Sequence, residues 1–235
     1  MQPQFMALKK SGRKLTAISL SDFYMARIAS NTAIDAIIIN ESQANLMAYG
    51  IPSMTAEQVW LGVLNAKAGA ANKTIVPILP SEMPDDIDEY INSLLNAGAS
   101  AIGIPIRFRD TLLQCAKKYP VIPVIDNLNS VRTEWNLKKL IEELSEYERI
   151  GCPAVYVVDL PLDIGIAARK MLKIPVFGSG SGILDGQCLS IYDITGLSGD
   201  FASPTAKKYM DGHSMTIGAI NEYCSDNRYA EIVAA

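Results

Sequence analysis

The sequence contains one histidine and four cysteines among 235 residues, which is too few for the common zinc sites. No two of the cysteines form a C-x-x-C pair, and the histidine, His213, stands far from most of them. Structural zinc centres need four closely spaced Cys or His ligands. The sequence therefore predicts buried, reduced thiols and a cytoplasmic location. The four thiols are Cys115, Cys152, Cys188 and Cys224.

Long apolar runs and an excess of positive charge are also missing. No apolar run approaches 18 residues, and the first 14 residues lack the apolar stretch of a signal peptide, so we expect neither a membrane span nor a secreted protein. With 21 basic and 25 acidic side chains, the net charge is −4, which favours no nucleic-acid partner. No linker, repeat or low-complexity tract interrupts the chain. The sequence therefore predicts a single domain over residues 1–235.

Short apolar runs alternate with longer amphipathic stretches along the whole chain. Runs without polar alternation are typical of parallel strands that are covered by helices. Strands are predicted at 16–20, 36–39, 74–79, 101–104, 121–125, 154–158 and 174–177, with a weaker one at 189–192. Helices are predicted at 22–30, after Thr55, and at 85–97, 136–149 and 164–172. Eight alternations favour a closed (β/α)8 TIM barrel, and an open doubly wound sheet is the alternative.

In a TIM barrel, catalysis takes place at the carboxyl ends of the strands. Glu41, Asp126 and Asp159 follow predicted strands two, five and six, and carboxylates so placed can act as acid and base. They can equally serve as helix caps or salt-bridge partners. Arg107 and Arg109 follow strand four and could bind a substrate carboxylate, or they could face solvent.

The segment 174–197 begins I-P-V-F-G-S-G-S-G and contains D-G-Q at 185–187. It resembles the ketopantoate hydroxymethyltransferase family, which carries I-P-V-I-G-I-G-A-G-x-x-x-D-G-Q at this place. The glycines at 178, 180 and 182 and the later Asp193 match, and the segments 18–23 and 206–209 resemble further family elements. The resemblance implies a TIM barrel related to the phosphoenolpyruvate mutase and isocitrate lyase group, assembled as a homo-oligomer.

The resemblance also implies a chemistry. In that family a divalent metal such as Mg²⁺ chelates 3-methyl-2-oxobutanoate and stabilises its enolate, which attacks methylenetetrahydrofolate. Ser42 matches the family's substrate-binding serine, and Glu41 replaces its metal-binding aspartate. Asn127 replaces its histidine, and Ile78 and Pro105 stand where the family has carboxylates. The candidate catalytic glutamate of strand six becomes Val158, followed by Asp159.

These departures predict a divergent enzyme that makes or breaks a carbon–carbon bond in a small carboxylic acid, with altered or lost metal dependence. The proposed catalytic residues are Glu41, Asp126 and Asp159. Ser42, Asn127, Arg107 and Arg109 are predicted to bind the substrate, and no residue is assigned to a metal. Two alternatives stay open. The first is a lyase, decarboxylase or hydrolase of the same superfamily, and the second is a non-catalytic barrel that binds a metabolite or a partner.

Overall fold

A computed structural model describes residues 2–40, 50, 53–125, 137–158, 162–179, 184–201 and 206–229. The chain divides into two compact units, Met1–Ser190 and Ile191–Ala235. The first unit contains every strand of the described sheet. The single domain predicted over residues 1–235 stays a prediction.

The first unit is built on eight parallel strands in the order β3-β2-β1-β8-β7-β6-β5-β4. Their bounds are β1 Leu15–Ser19, β2 Ala36–Ile39, β3 Thr74–Pro77, β4 Ile102–Pro105, β5 Val121–Ile125, β6 Val155–Val157, β7 Val176–Gly178 and β8 Gly186–Ser190. The two edge strands are joined by a parallel bridge between Ile78 and Gly103. Leu79 N donates to Gly103 O there at 2.8 Å. The sheet therefore forms a nearly closed barrel, which confirms the predicted fold.

Helices fill the connections between the strands. In the first unit they are α1 Gln2–Ser11, α2 Phe23–Ser30, α3 Ala56–Gly69, α4 Ile87–Ala97, α5 Arg109–Cys115, α6 Leu137–Arg149 and α7 Leu162–Met171, with a 3₁₀ turn at Ile106–Phe108. The predicted capping box at Thr55 and Gln58 is present, with both reciprocal hydrogen bonds. Helix α4 ends, as predicted, at Gly98, whose φ is +114°. Local sequence signals thus fixed these two helix ends.

Strand β8 lies three residues earlier in the sequence than predicted. It runs over Gly186–Ser190, and the apolar residues that suggested a strand, Ile191 and Tyr192, begin a short helix instead. Gly186 pairs with Leu15 at the start of β1. A side chain at Gly186 would lie 2.5 Å from Leu15 O, so a glycine permits this close approach. An apolar run alone did not reveal this strand.

The barrel interior is filled by residues at alternate strand positions, as a parallel barrel requires. The interior cluster comprises Phe5, Leu15, Ala17, Ala36, Ile38, Val76, Ile78, Ala101, Ile122, Val124, Ala154, Tyr156, Phe177 and Cys188. Phe5 comes from α1, a helix that the sequence did not reveal. Its ring stacks on Phe177 at 6.2 Å, and Tyr156 meets Phe177 edge-on at 5.3 Å. Helix α1 therefore contributes directly to the core.

The second unit contains α8 Ile191–Thr195, a 3₁₀ turn at Gly199–Phe201 and α9 Gly212–Tyr229. His213, the single histidine, is the second residue of α9. A groove in this unit is lined by Leu197, Met210, Gly212, Met215, Thr216, Ala219, Ile220 and Tyr223. In the described part of the chain, no helix combines the length and apolar character needed to cross a membrane.

Three of the four cysteines are buried free thiols, as predicted, and Cys224 is half-buried. Burial raises the pKa of the Cys152 thiol to about 12. It also raises the pKa of Cys188, inside the barrel, to about 12. A thiol is a nucleophile only when it is ionised, so neither of these groups is suited to covalent catalysis.

Candidate functional site

Four neighbouring strands end in polar side chains that share the interior face. These residues are Asn40 after β2, Ser19 in β1, Ser190 in β8 and Ser179 after β7. Each stands two residues after a member of the interior cluster, and alternate residues of a strand lie on one face. Ser19 pairs with Ser190 in register, and both are buried. One wall of the barrel is therefore polar at its carboxyl end.

On the opposite wall, formed by β3 to β6, the described residues nearest the carboxyl end are apolar. Ile78 and Val124 belong to the interior cluster, and Val158 packs against it. Pro105, the last residue of β4, is buried. A ligand at this end of the barrel would meet hydrogen-bonding groups on one side and hydrocarbon on the other.

Where β1 and β2 end, three buried polar atoms have no hydrogen-bond partner among the residues that the structure describes. They are Ser21 Oγ, Asp22 Oδ2 and Asn40 Oδ1. The other carboxylate oxygen of Asp22 caps α2 by accepting from Met25 N at 2.8 Å. Buried polar groups in folded proteins are nearly always hydrogen-bonded. The ends of β1 and β2 are therefore unusual in containing buried polar atoms that are unpaired among the described residues.

Arg107 lies just after β4, in the 3₁₀ turn at Ile106–Phe108. Its Nη2 donates to Ser81 Oγ, which follows β3, at 3.2 Å. Its guanidinium also lies 4.8 Å from the centre of the Phe108 ring. The side chain is exposed. Arg107 therefore brings a positive charge to the ends of β3 and β4, beside a serine hydroxyl.

Arg109 is placed differently, as the first residue of α5. Its Nη2 contacts Glu146 Oε2 of α6 at 2.5 Å, and its Nε lies 3.9 Å from Glu143 Oε1. The hydrogen bond to Glu146 raises the pKa of Arg109 above its ordinary value. Two carboxylates of one helix therefore already neutralise the guanidinium of Arg109.

The other predicted site residues lie outside the described part of the chain. These are Glu41, Ser42, Asp126, Asn127 and Asp159. The structure does place the residues directly before them. Asn40 ends the β2 segment, Ile125 ends β5 and Val158 follows β6. Ile125 and Val157 are register partners, so the chain leaves β5 and β6 at neighbouring points.

The comparisons with known proteins agree with the sequence motifs. A family model described as "Ketopantoate hydroxymethyltransferase" matches residues 129–231. The 3-methyl-2-oxobutanoate hydroxymethyltransferase of Flavobacterium johnsoniae is 26% identical, over 93% of this chain and 89% of that protein. The chain is therefore similar in sequence to the ketopantoate hydroxymethyltransferases.

Solved structures support the same fold. A 2,3-dimethylmalate lyase, a member of the PEP mutase/isocitrate lyase superfamily, has a TM-score of 0.63 at 10% identity, over 99% of this chain and 91% of that chain. An oxaloacetate acetylhydrolase in complex with oxalate has a TM-score of 0.64 at 10% identity, over 100% of this chain and 89% of that chain. At such low identity these likenesses establish the architecture alone.

The divalent metal that the ketopantoate hydroxymethyltransferase resemblance implies does not fit the described residues. Where that family has carboxylates, after strands three and four, this chain has the buried residues Ile78 and Pro105. Within the described ranges, no group of three or more His, Cys, Asp or Glu side chains could hold a metal ion. Hard divalent ions need several oxygen ligands. Glu41, which matches the family's metal-binding aspartate, lies outside those ranges.

The glycine-rich segment shared with the hydroxymethyltransferases begins at the end of β7, where Gly178 pairs with Val157 of β6. Gly178 has a φ of +155°, and a Cβ at this position would lie 1.8 Å from Val157 O. Only glycine fits such an approach. The close contact between two strands therefore accounts for Gly178, and the glycines at 180 and 182 lie outside the described residues.

The aspartate of the shared D-G-Q triplet serves the other end of the barrel. Asp185 precedes β8 and accepts a hydrogen bond from Val176 N at 3.0 Å. Its carboxylate also contacts Lys9 Nζ at 2.9 Å and Arg169 Nε at 3.1 Å. Sequence reasoning used this residue only as a family marker. Its position directly before a strand could have indicated a structural role, because catalysis in TIM barrels takes place at the opposite, carboxyl ends.

Asp193, the other matching aspartate, does not end a strand as the sequence suggested. It lies on α8, is buried, and accepts a hydrogen bond from Ser198 Oγ at 2.7 Å. Both residues belong to the second unit. The match to the family at this position is therefore compatible with a structural role.

Proposed function

We propose that this chain is an enzyme that makes or breaks a carbon–carbon bond in a small carboxylic acid at the carboxyl ends of its barrel strands. The observation that carries the proposal is the match to the hydroxymethyltransferase family model together with a TIM barrel. A curated relative acts, by its name, on 3-methyl-2-oxobutanoate. The structurally similar oxaloacetate acetylhydrolase was solved with the dicarboxylate oxalate bound.

Arg107 is the proposed counter-ion for the substrate carboxylate. A guanidinium can donate two parallel hydrogen bonds to a carboxylate, which fixes both its position and its plane. Ser81 Oγ, 3.2 Å from Arg107 Nη2, is within reach of the same anion. A positive side chain stands close to where the family places a metal-facing carboxylate. It would supply part of the charge that a metal supplies by coordination.

The proposed acid and base are Glu41, Asp126 and Asp159, and Ser42 and Asn127 are proposed to orient the substrate. Asp126 and Asp159 follow neighbouring strand ends, since Ile125 pairs with Val157. Two carboxylates held close together perturb each other's pKa, and such a pair can divide the roles of acid and base. These assignments rest on position in the sequence and on the resemblance.

The proposal is tested by assaying the purified protein with a short panel of acids, in EDTA and in Mg²⁺. The panel contains 3-methyl-2-oxobutanoate with methylenetetrahydrofolate, 2,3-dimethylmalate and oxaloacetate. We expect weak hydroxymethyl transfer and metal-independent turnover of a small acid. Ser42→Ala and Asp159→Ala should lower that turnover while leaving the circular dichroism spectrum unchanged. Asp88→Asn, which removes an exposed carboxylate of α4 that pairs with Lys118, is the control.

Two outcomes would contradict this proposal. Hydroxymethyl transfer at about 1 s⁻¹ or faster that requires Mg²⁺ would mean that the metal site is retained. Absence of binding and turnover for all three acids would favour the non-catalytic barrel. Cleavage of 2,3-dimethylmalate or oxaloacetate would instead select the lyase or hydrolase alternative within the superfamily.

We also propose that the protein is a homo-oligomer, as the resemblance to the hydroxymethyltransferase family implies. Helix α9 carries exposed Met215, Ile220 and Tyr223 in the apolar groove of the second unit. Exposed apolar clusters of this kind are typical of interfaces. Sedimentation of the whole protein tests it, and a monomer at micromolar concentration would contradict it. The cytoplasmic location stays a prediction from the reduced thiols.

A further inference from the structure

Two buried serines stand side by side at the carboxyl ends of β1 and β8. Ser19 and Ser190 are register partners in the parallel sheet, and neighbouring strands of a sheet lie about 4.8 Å apart. The two residues are only 4% and 7% exposed. None of the proposed catalytic or substrate-binding roles uses them. The pair is therefore a feature of the barrel that the proposed function has not yet explained.

Both serine side chains point into the barrel. Two residues earlier, the register partners are Ala17 and Cys188, which belong to the interior cluster. Alternate residues of a strand share a face, so the serines share the interior face with them. The burial of β8 alternates in the same way, because Gln187 and Leu189 are half-buried. Cys188 and Ser190 are buried. The two hydroxyls are therefore close neighbours inside the barrel.

The chemistry of the pair suits an oxygen atom of a ligand. A serine hydroxyl carries one O–H donor and two acceptor sites, so it can donate to a ligand while it accepts from the protein. Hydroxyls on adjacent strands can both approach one oxygen atom that lies between them. The pair also lies at the carboxyl ends of the strands, where ligands bind in this fold. It can therefore offer two converging donors to one ligand oxygen.

The proposed reaction places negative charge on such an oxygen. When a carbon–carbon bond next to a carbonyl is made or broken, the carbonyl oxygen becomes that of an enolate, and fixed hydrogen-bond donors stabilise it. Among the residues that the structure describes, no group of three or more His, Cys, Asp or Glu side chains could hold a metal ion. Hydrogen-bond donors are therefore what this part of the chain provides for the charge.

We propose that Ser19 and Ser190 form an oxyanion site, in which both hydroxyls donate to the carbonyl oxygen of a 2-oxo acid as it becomes an enolate. A base takes the proton from the carbon next to the carbonyl, and the electron pair of that C–H bond moves to the carbonyl oxygen. In a cleavage, the electron pair of the broken carbon–carbon bond moves there instead. This inference rests on the proposed function for the identity of the ligand.

The first experiment needs no ligand and asks whether the barrel has room beside the pair. Ser19→Leu should change the Tm by less than about 2 °C, because the larger side chain would enter the space meant for the ligand. Ala17→Leu is the matched control, since Ala17 lies two residues earlier on the same face, in the filled interior. It should lower the Tm by about 5 °C or more through overpacking. An equal loss in Ser19→Leu would overturn the oxyanion site.

The second experiment follows enolate formation by itself. In D₂O that contains EDTA, NMR measures exchange of the C3 hydrogen of 3-methyl-2-oxobutanoate, with no second substrate present. The natural chain should catalyse this exchange. Ser19→Ala and Ser190→Ala should each slow it about 100-fold, the usual cost of losing one oxyanion donor. Ser198→Ala is the control and should keep the natural rate, because Ser198 is also buried but donates to Asp193 Oδ1 at 2.7 Å.

The outcomes separate this inference from the proposed function. Exchange that Ser19→Ala and Ser190→Ala leave unchanged would overturn the oxyanion site and leave the proposed function standing. Exchange that occurs with Mg²⁺ but not in EDTA would assign the charge to a metal ion and also overturn the inference. Absence of exchange under both conditions would overturn the oxyanion site, while turnover of 2,3-dimethylmalate or oxaloacetate would still support the proposed function.

Discussion

The two ends of the barrel treat their buried polar groups in opposite ways. At the amino end of the strands, the Asp185 carboxylate is satisfied by Lys9, Arg169 and a backbone N–H. At the carboxyl end, Ser21 and Asn40 bury polar atoms that have no partner among the described residues. Pairing stabilises the folded chain, whereas unpaired groups destabilise it unless something else completes them. The amino end therefore contains a paired polar group that stabilises the fold, whereas the carboxyl end contains polar atoms whose burial costs stability.

The largest effect should come from breaking the paired end. Asp185→Asn removes a carboxylate that is 8% exposed and leaves Lys9, only 16% exposed, without its counter-charge. We expect a loss of about 3–5 kcal/mol in the free energy of unfolding, measured by urea denaturation. The control is Asp88→Asn, which breaks an exposed ion pair to Lys118 and should cost much less, because solvent screens such a pair. Equal costs for the two variants would refute the comparison.

A second test concerns the carboxyl end, where the backbone is rigid although the polar atoms are unpaired. Gly178→Ala would place a Cβ 1.8 Å from Val157 O. We expect a loss of at least about 2 kcal/mol, because the strands must separate to admit the methyl group. Gly218→Ala is the control, since no heavy atom lies within 4 Å of its added Cβ. On a helix, that change should stabilise by about 0.5–1 kcal/mol.

The sequence predicted the barrel well because its strands are continuous apolar runs bounded by caps. Thr55, Gln58 and Gly98 mark helix ends by local chemistry that needs no tertiary contact. Strand β8 was misplaced because Gly186 and Gln187 carry no apolar signal, and the strand is defined by pairing with β1 and β7. Helix α1 was missed because its place in the core depends on tertiary contacts that a sequence does not show: Phe5 stacks inside the barrel and Leu8 packs against the same cluster.

The site was less predictable, and for a different reason. Asn40 Oδ1 is unpaired because no donor among the described residues lies within hydrogen-bond distance of it. Such distances between residues that are far apart in the sequence cannot be read from the sequence. The distinction between Arg107 and Arg109, two residues apart, depends on Glu146 of a helix that lies 37 residues further along the chain. Asp185 was recognised as part of a motif, but its role follows from the end of the barrel on which it lies.

The third prediction concerns those two arginines. Arg107→Ala should weaken binding of a small carboxylate about 10–100-fold, the usual cost of losing a hydrogen bond to a charged group, with little change in stability. Arg109→Ala should leave affinity unchanged and change the stability little, because its ion pair with Glu146 is exposed. Calorimetric titration with 3-methyl-2-oxobutanoate and urea denaturation measure the two effects. If Arg109→Ala weakened binding of the carboxylate and Arg107→Ala did not, the anion would bind at α5 instead.

The smallest effect is a pH dependence at the amino end, where Cys152 lies buried just before β6. Burial raises its pKa from an ordinary value of 9.0 to about 12. Between these two values the unfolded chain releases a proton that the folded chain retains. The stability present below pH 9 is therefore lost as pH rises, by about 1.4 kcal/mol per pH unit for each such thiol.

From pH 9 to 11, the free energy of unfolding of Cys152→Ala should fall less steeply than that of the natural chain. The difference between the two slopes should correspond to one proton. Below pH 8 its curve should run parallel to that of the natural chain, offset by the cost of the lost packing. Parallel curves at every pH would mean that water reaches this thiol, and the amino end would then be less tightly closed than its paired charges suggest.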